Sequence, residues 1–452
     1  MARANLLAAG ERVHMAVAPQ QGAQTGSTSS GAAPHYRAAL VLLTTLFFMW
    51  GFISVINGTL LPHLRSVFKL NYFQTTMIES VWFIGYLIAS IPAAKVIERI
   101  GYKRALTLGL AVMTVGSLGM VLAASLPSYW VTLISLFTVS CGIALLQVAA
   151  NPYVAVIGPP ETSESRLTLV QAFNTTGDVL AIIFGKYLIL ARTTGGTSAE
   201  GTQLTHAQRM ADAQATELPY LIVAGVLAVL AVIIARAKLP ELGASTRRLA
   251  ADERKHLSLW NHRNLTLGCV AIAACVWAEI SVGNLFINFA SQPTVANITH
   301  EQAASYLIFF WGGMMLGRFA GAFLMRAVAP EKVLAVFAAA GIAFSLGATL
   351  LHGPLAMYSL ILVGLATSIM FPTIFALAIR GLGPLTEEGS GLLILSIAGG
   401  ALVFLNGKVA DSYGINWAFL ITAACEAYVL FYALWGAKPT NALEDEKLTA
   451  TA

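Results

Sequence analysis

Apolar residues in this chain come in long stretches, with no regular polar face of the kind a water-soluble helix shows. Each stretch is about 20 residues long, enough for a helix rising 1.5 Å per residue to cross a hydrocarbon layer of roughly 30 Å. The pattern predicts twelve spans, at 38–61, 73–97, 103–124, 128–157, 167–191, 217–237, 265–291, 301–326, 331–351, 355–381, 388–410 and 414–437. Open sheets leave backbone groups unsatisfied in lipid, and the alternation of barrel strands is missing, so an all-α membrane protein is expected. A polar stretch, 238–264, follows the sixth span. It divides an N-terminal six-helix bundle (37–237) from a C-terminal one (265–437). Residues 1–36, rich in Ala, Gly, Gln and Ser, read as a disordered cytoplasmic tail and not a signal peptide, and 438–452 as a second cytoplasmic tail.

Composition supports this reading. The chain is 57% hydrophobic and 11% charged, against roughly 25% charged for soluble proteins. With both termini cytoplasmic, 20 of the 27 Lys and Arg residues fall on the cytoplasmic side. Six face outward (Arg65, Lys69, Lys186, Arg192, Arg209 and Lys408), and Arg318 lies inside a span. The net charge of +5 is therefore a topology signal, and no nucleic-acid partner is expected. The four cysteines sit in predicted spans without metal-type spacing, and the eight histidines fall in tails, loops or span ends. An enzyme, a metal centre and an organic cofactor are all unexpected on this pattern.

The two halves repeat. "AAKVIERIGYKRAL" (93–106) and "GAFLMRAVAPEKVL" (321–334) each follow the second span of their half. "IGPPETSESR" (157–166) precedes span five as "LGPLTEEGSG" (382–391) precedes span eleven, and Asn151-Pro152 has Phe371-Pro372 as its counterpart. Parallel halves of this kind are the architecture of major facilitator transporters. The 2–3 loop resembles the signature loop of that superfamily, with Ala94 at its usual Gly and Glu98 at its usual Asp. "FFMWGFISVINGTLLPHL" (47–64), "LLQVAANPYV" (145–154), "GPPETSESRLTLVQAFNTTG" (158–177) and "FPTIFALAI" (371–379) together resemble the fucose/glucose/galactose symporter family. The resemblance implies the major facilitator fold, twelve helices in two six-helix bundles, and sugar transport by alternating access. A monomer in the bilayer of a bacterial inner membrane is the accompanying expectation.

The polar residues inside the spans carry the candidate chemistry. Gln147 and Asn151 share one face of span four, beside a proline that frees the carbonyl of Val148. Gln171, Asn174 and Asp178 form one stripe on span five. Span one adds Trp50 and Asn57, and span seven adds Glu279, Asn284 and Asn288, with Trp277 nearby. Amides that both donate and accept, beside aromatic faces, suit the hydroxyls and C–H face of a hexose. In the family that the chain resembles, positions matching Asn57, Gln147, Gln171 and Asn174 line the central cavity. Glucose, galactose, fucose and an N-acetylhexosamine stay open as substrates.

Acids inside a span are costly and usually functional. Glu79, Asp178 and Glu279 are such acids, with Glu426 set apart from them as nearer a helix end. Proton-coupled members of the family carry an "ND" pair in span one, where this chain reads Asn57-Gly58. Asp178 and Glu279 are then the candidates for coupling to Na⁺ or H⁺, with a pairing of one of them to Arg318 as the plainer alternative. Cation-coupled symport is the favoured mechanism. An uncoupled uniporter, or less readily a sugar sensor on a transporter fold, is the alternative. Glu98, Arg99 and Arg104 are expected to latch the cytoplasmic side.

Overall fold

The computed structural model describes residues 38–53, 72–125, 128–184, 217–239 and 258–439. Twelve helical segments correspond to the twelve predicted spans. The N-terminal half holds α1 (Ala38–Ile53), α2 (Tyr72–Ile100), α3 (Tyr102–Ser125), α4 (Tyr129–Val156), α5 (Ser163–Phe184) and α6 (Glu217–Arg236). The C-terminal half holds α7 (Arg263–Ala290), α8 (His300–Leu324), α9 (Pro330–Leu350), and α10, which runs over Pro354–Thr367 and resumes at Met370–Ile379. α11 consists of Thr386–Leu395, a 3₁₀ stretch Ser396–Val403 and Phe404–Tyr413. α12 (Phe419–Phe431) follows a 3₁₀ turn, Ile415–Ala418, and ends in a wider π turn, Tyr432–Gly436. Ten of these segments are long and apolar enough to cross a membrane. The predicted tail 1–36, the linker residues 240–257 and residues 440–452 lie outside the described set.

Two spans expected to be continuous are broken. In α10 the break falls just before Pro372, which has no N–H to offer the carbonyl of Ser368. In α11 the middle tightens to 3₁₀ at "SIAGGALV", where Gly399 lies so close to α7 that a Cβ would sit 2.6 Å from the Cβ of Ala273. α5 begins at Ser163, ahead of the expected 167, because the 3₁₀ turn Pro160–Thr162 leads straight into it. The repeated segment does the same at Gly383–Leu385 before α11.

The exterior is apolar. α6 exposes Leu218, Leu221, Ile222, Val229, Val232 and Ile233 while burying Tyr220, Val223, Leu227, Leu230 and Ile234 on the opposite face. Such a helix is stable only with hydrocarbon around it, so the protein is a multi-pass membrane protein. Between helices, small residues permit close approach. A Cβ on Gly142 of α4 would fall 2.6 Å from the Cγ of Met113 on α3.

The halves meet through α2 against α11, α4 and α5 against α10, and α5 against α8. Among the described residues, side chains join the halves at the end that carries the turns at 157–162 and 380–385. There Ser165 donates to the carbonyl of Ala322 (2.6 Å), and Phe173 meets Phe319 edge-on at 5.5 Å. Ser390 on α11 donates to the carbonyl of Val148 (3.0 Å), the group that Pro152 leaves without a helical partner. At the corresponding proline of the other half, Arg318 Nε donates to the freed carbonyl of Ser368 (2.9 Å). The two related helix defects are each satisfied from a neighbouring helix, in the N-terminal half by a residue of the opposite half.

Candidate functional site

The amides of α4 and α5 converge where these helices meet. Gln147, Asn151, Gln171 and Asn174 are all buried. Gln147 Nε2 donates to the hydroxyl of Tyr86 on α2 (2.6 Å). Gln171 Nε2 donates to Asn151 Oδ1 (3.2 Å). Asn151 Nδ2 has no partner among the described residues, although Asn151 is 0% exposed. A buried donor left unmet costs about 1–3 kcal/mol, so this N–H marks a place where a ligand hydroxyl or a water would be welcome. Asn174 reaches across to α1 and donates from Nδ2 to the carbonyl of Phe47 (2.8 Å).

Two glycines allow α1 and α5 to come this close. A Cβ on Gly177 would fall 2.9 Å from the backbone nitrogen of Phe52, and one on Gly51 would fall 2.8 Å from Oδ1 of Asp178. Asp178 is half-buried and its carboxylate therefore faces α1. Trp50 is buried in the core of this half, its ring 5.0 Å from that of Phe47. Asn57 and Gly58 lie outside the described residues, as does the side chain of Glu79.

Arg318 of α8 stands at the centre. It is 6% exposed. Its Nη1 donates to the carbonyl of Gln171 (3.1 Å) and to the hydroxyl of Thr175, so a cation of the C-terminal half is tied to α5 of the other. The plainer expectation, a direct pairing with one acid, is not what these hydrogen bonds describe: their acceptors are carbonyls and a hydroxyl. Arg318 instead acts through space on both Asp178 and Glu279. Glu279 is half-buried on α7. Asn284 and Asn288, farther along α7, are exposed. Trp277 donates its indole N–H to Asn406 Oδ1 (2.7 Å), and Asn406 in turn holds the carbonyl of Ala418, so this indole is tied within the C-terminal half.

Arg99 and Arg104 are exposed at the turn between α2 and α3, and Glu98 is half-buried. An ion pair between the halves is built from residues the sequence reading did not single out. Arg380, at the end of α10, pairs with Glu164 of α5 (2.8 Å) and Glu331 of α9 (2.6 Å). The Glu164 side chain is 0% exposed. Arg166 fastens the turn below it, donating to the carbonyls of Ala155 (2.6 Å) and Pro159 (2.6 Å). The available signal was the repeat itself, since both turns carry acids beside a Gly-Pro pair.

A two-half bundle of twelve helices, with polar side chains and the cation Arg318 buried where the halves meet, defines a membrane transporter. A family model of the Major Facilitator Superfamily matches residues 42–404, and the chain belongs to that superfamily. It is 44% identical over 412 residues to the glucose/galactose transporter of Brucella abortus biovar 1 (strain 9-941), covering 91% of this chain and 97% of that protein. It is 31% identical over 413 residues to the L-fucose-proton symporter of Escherichia coli (strain K12), covering 89% and 94%. Among solved structures it is similar to the transporter FucP in its outward conformation. The TM-score is 0.82 at 30% identity, over 89% of this chain and 100% of that one.

Proposed function

We propose that this protein carries a hexose across a bacterial inner membrane by alternating access, as a monomer with both termini in the cytoplasm. The observation that carries the reading is the buried amide set Gln147, Asn151, Gln171 and Asn174, with its unmet donor on Asn151. A sugar hydroxyl is both acceptor and donor and fits such a set. The relatives named glucose/galactose transporter and L-fucose-proton symporter support a sugar as the cargo. The excess of Lys and Arg at the 2–3 turn and around the linker supports the orientation. On that orientation the end joined by Ser165, Ser390 and Arg380 is cytoplasmic, the closure expected of an outward-facing state. Ala94 packs on Gly391 in this closure, and Glu98 lies one turn beyond it, so the 2–3 turn with Arg99 and Arg104 borders the same gate.

Coupling to H⁺ or Na⁺ is assigned to Asp178 and Glu279. They flank Arg318, whose hydrogen bonds hold the halves together, so a cation that neutralises either acid changes the field at that junction. Uniport is the competing mechanism, and Gly58 at the position of the family's acid is what favours it. The site is tested by sugar binding to purified protein in nanodiscs. Gln171→Ala and Asn174→Ala each weaken binding by at least about 1 kcal/mol, roughly fivefold. Unchanged affinity in both variants removes the amide set from the site.

A further inference from the structure

Behind α7, away from the amide set, the seam between α9 and α12 contains a buried acid. Glu426 of α12 is 0% exposed. It fits a notch at Gly341 of α9, where a Cβ would sit 2.9 Å from its carboxyl carbon. The two helices run antiparallel. Ser345, one turn on along α9, therefore lies level with Thr422, one turn back along α12. Both are 0% exposed. Ser345 Oγ, Thr422 Oγ1 and both carboxyl oxygens of Glu426 have no hydrogen-bond partner among the described residues. Many other hydroxyls in the spans bond back to the carbonyl one turn earlier, as Thr349 does to Ser345 (3.0 Å) and Ser281 to Trp277 (2.7 Å). For Thr422 that carbonyl, on Ala418, accepts from Asn406 (2.9 Å).

No cation faces the acid from the described helices packed on it. α7 presents Cys275, with Glu279 one turn further on. α12 presents Cys425, and α9 presents Gly341 and Ser345. An ionised carboxylate without a partner is not sustained in such a place; the group takes up a proton instead. We infer that Glu426 is a proton-binding site, held in this seam as the neutral carboxylic acid. The exchange is simple: when water reaches the seam the carboxylate takes H⁺ from hydronium, leaving water, and returns it to water as hydronium by the reverse step. Ser345 and Thr422 each bring one hydroxyl donor, and the bound proton adds a third to a cluster whose oxygens otherwise offer more acceptor sites than donors. The site is distinct from Asp178 and Glu279 and does not depend on which solute the protein carries.

Infrared spectroscopy of the full-length protein in nanodiscs, across mildly acidic to mildly alkaline pH, tests this. The wild type shows a protonated-carboxyl C=O band at neutral pH. That band is absent in Glu426→Gln, the uncharged isostere, and persists in both Asp178→Asn and Glu279→Gln. Thr422→Val, a second variant should the first fail to fold, shifts the frequency of the same band without removing it. A spectrum unchanged by both Glu426→Gln and Thr422→Val overturns the assignment. So does a wild type that lacks the band and gains thermal stability from Na⁺ in a Glu426-dependent way, since the seam would then hold a metal cation. Neither readout requires transport, so failure of the sugar reading leaves the test intact.

Discussion

Replacing Arg380 by Ala should open the closed end of the molecule, and the structure sets the size of the effect. Arg380 pairs with Glu164 across the halves and with Glu331 within its own half, at 2.8 and 2.6 Å. The Glu164 side chain is 0% exposed, whereas Arg380 and Glu331 are 34% and 30% exposed. Stranding a buried carboxylate costs about 3–5 kcal/mol. The partial exposure of Arg380 lets water compensate, which reduces the figure to about 2 kcal/mol. This cost falls only on the state in which the halves are closed here, because opening hydrates Glu164. A bias of about 2 kcal/mol is roughly a 30-fold change in the ratio of closed to open. Glu331→Gln removes only the exposed arm and shifts the ratio by less than about 1 kcal/mol. Glu164→Gln combined with Arg380→Ala perturbs less than Arg380→Ala alone, since no buried charge is left behind. Spin-label distances between the ends of α5 and α10, measured in nanodiscs, report the populations. Equal shifts from Arg380→Ala and Glu331→Gln, or none from either, would refute the argument from burial.

Two further outcomes are expected. Ser390→Ala leaves the Val148 carbonyl unmet and lowers stability by about 1 kcal/mol; in a Pro152→Ala background, where residue 152 can supply its own N–H, the same change is nearly neutral. Thermal unfolding of the four proteins decides this, and an equal loss in both backgrounds would disprove the link between Ser390 and the proline. In proteoliposomes under an imposed Na⁺ or pH gradient, at least one of Asp178→Asn and Glu279→Gln equilibrates sugar without accumulating it. Accumulation by both removes these acids from coupling, and a wild type that only equilibrates is a facilitator.

What the sequence could determine by itself was the solvent of each segment. Twenty-residue apolar runs are stable as helices only in hydrocarbon, so the spans and the repeat of two halves were readable without coordinates. The amide stripe was readable for the same reason: Gln147, Asn151, Gln171 and Asn174 are out of place in lipid and had to face inward. Which groups would satisfy them was not readable. Gln147 meets Tyr86 and Asn174 meets the carbonyl of Phe47, residues 61 and 127 positions away. The break in α10 before Pro372 was not anticipated, and the donor that tolerates it, Arg318, comes from a different helix. The 3₁₀ stretch of α11 coincides with the approach of Gly399 to Ala273, a partner that lies far away in the chain. Glu164 and Arg380 lie 216 positions apart. Local periodicity reports what a helix requires of its surroundings. The choice among many chemically equivalent partners is made only when helices pack, because each buried polar group competes for the few acceptors and donors within reach.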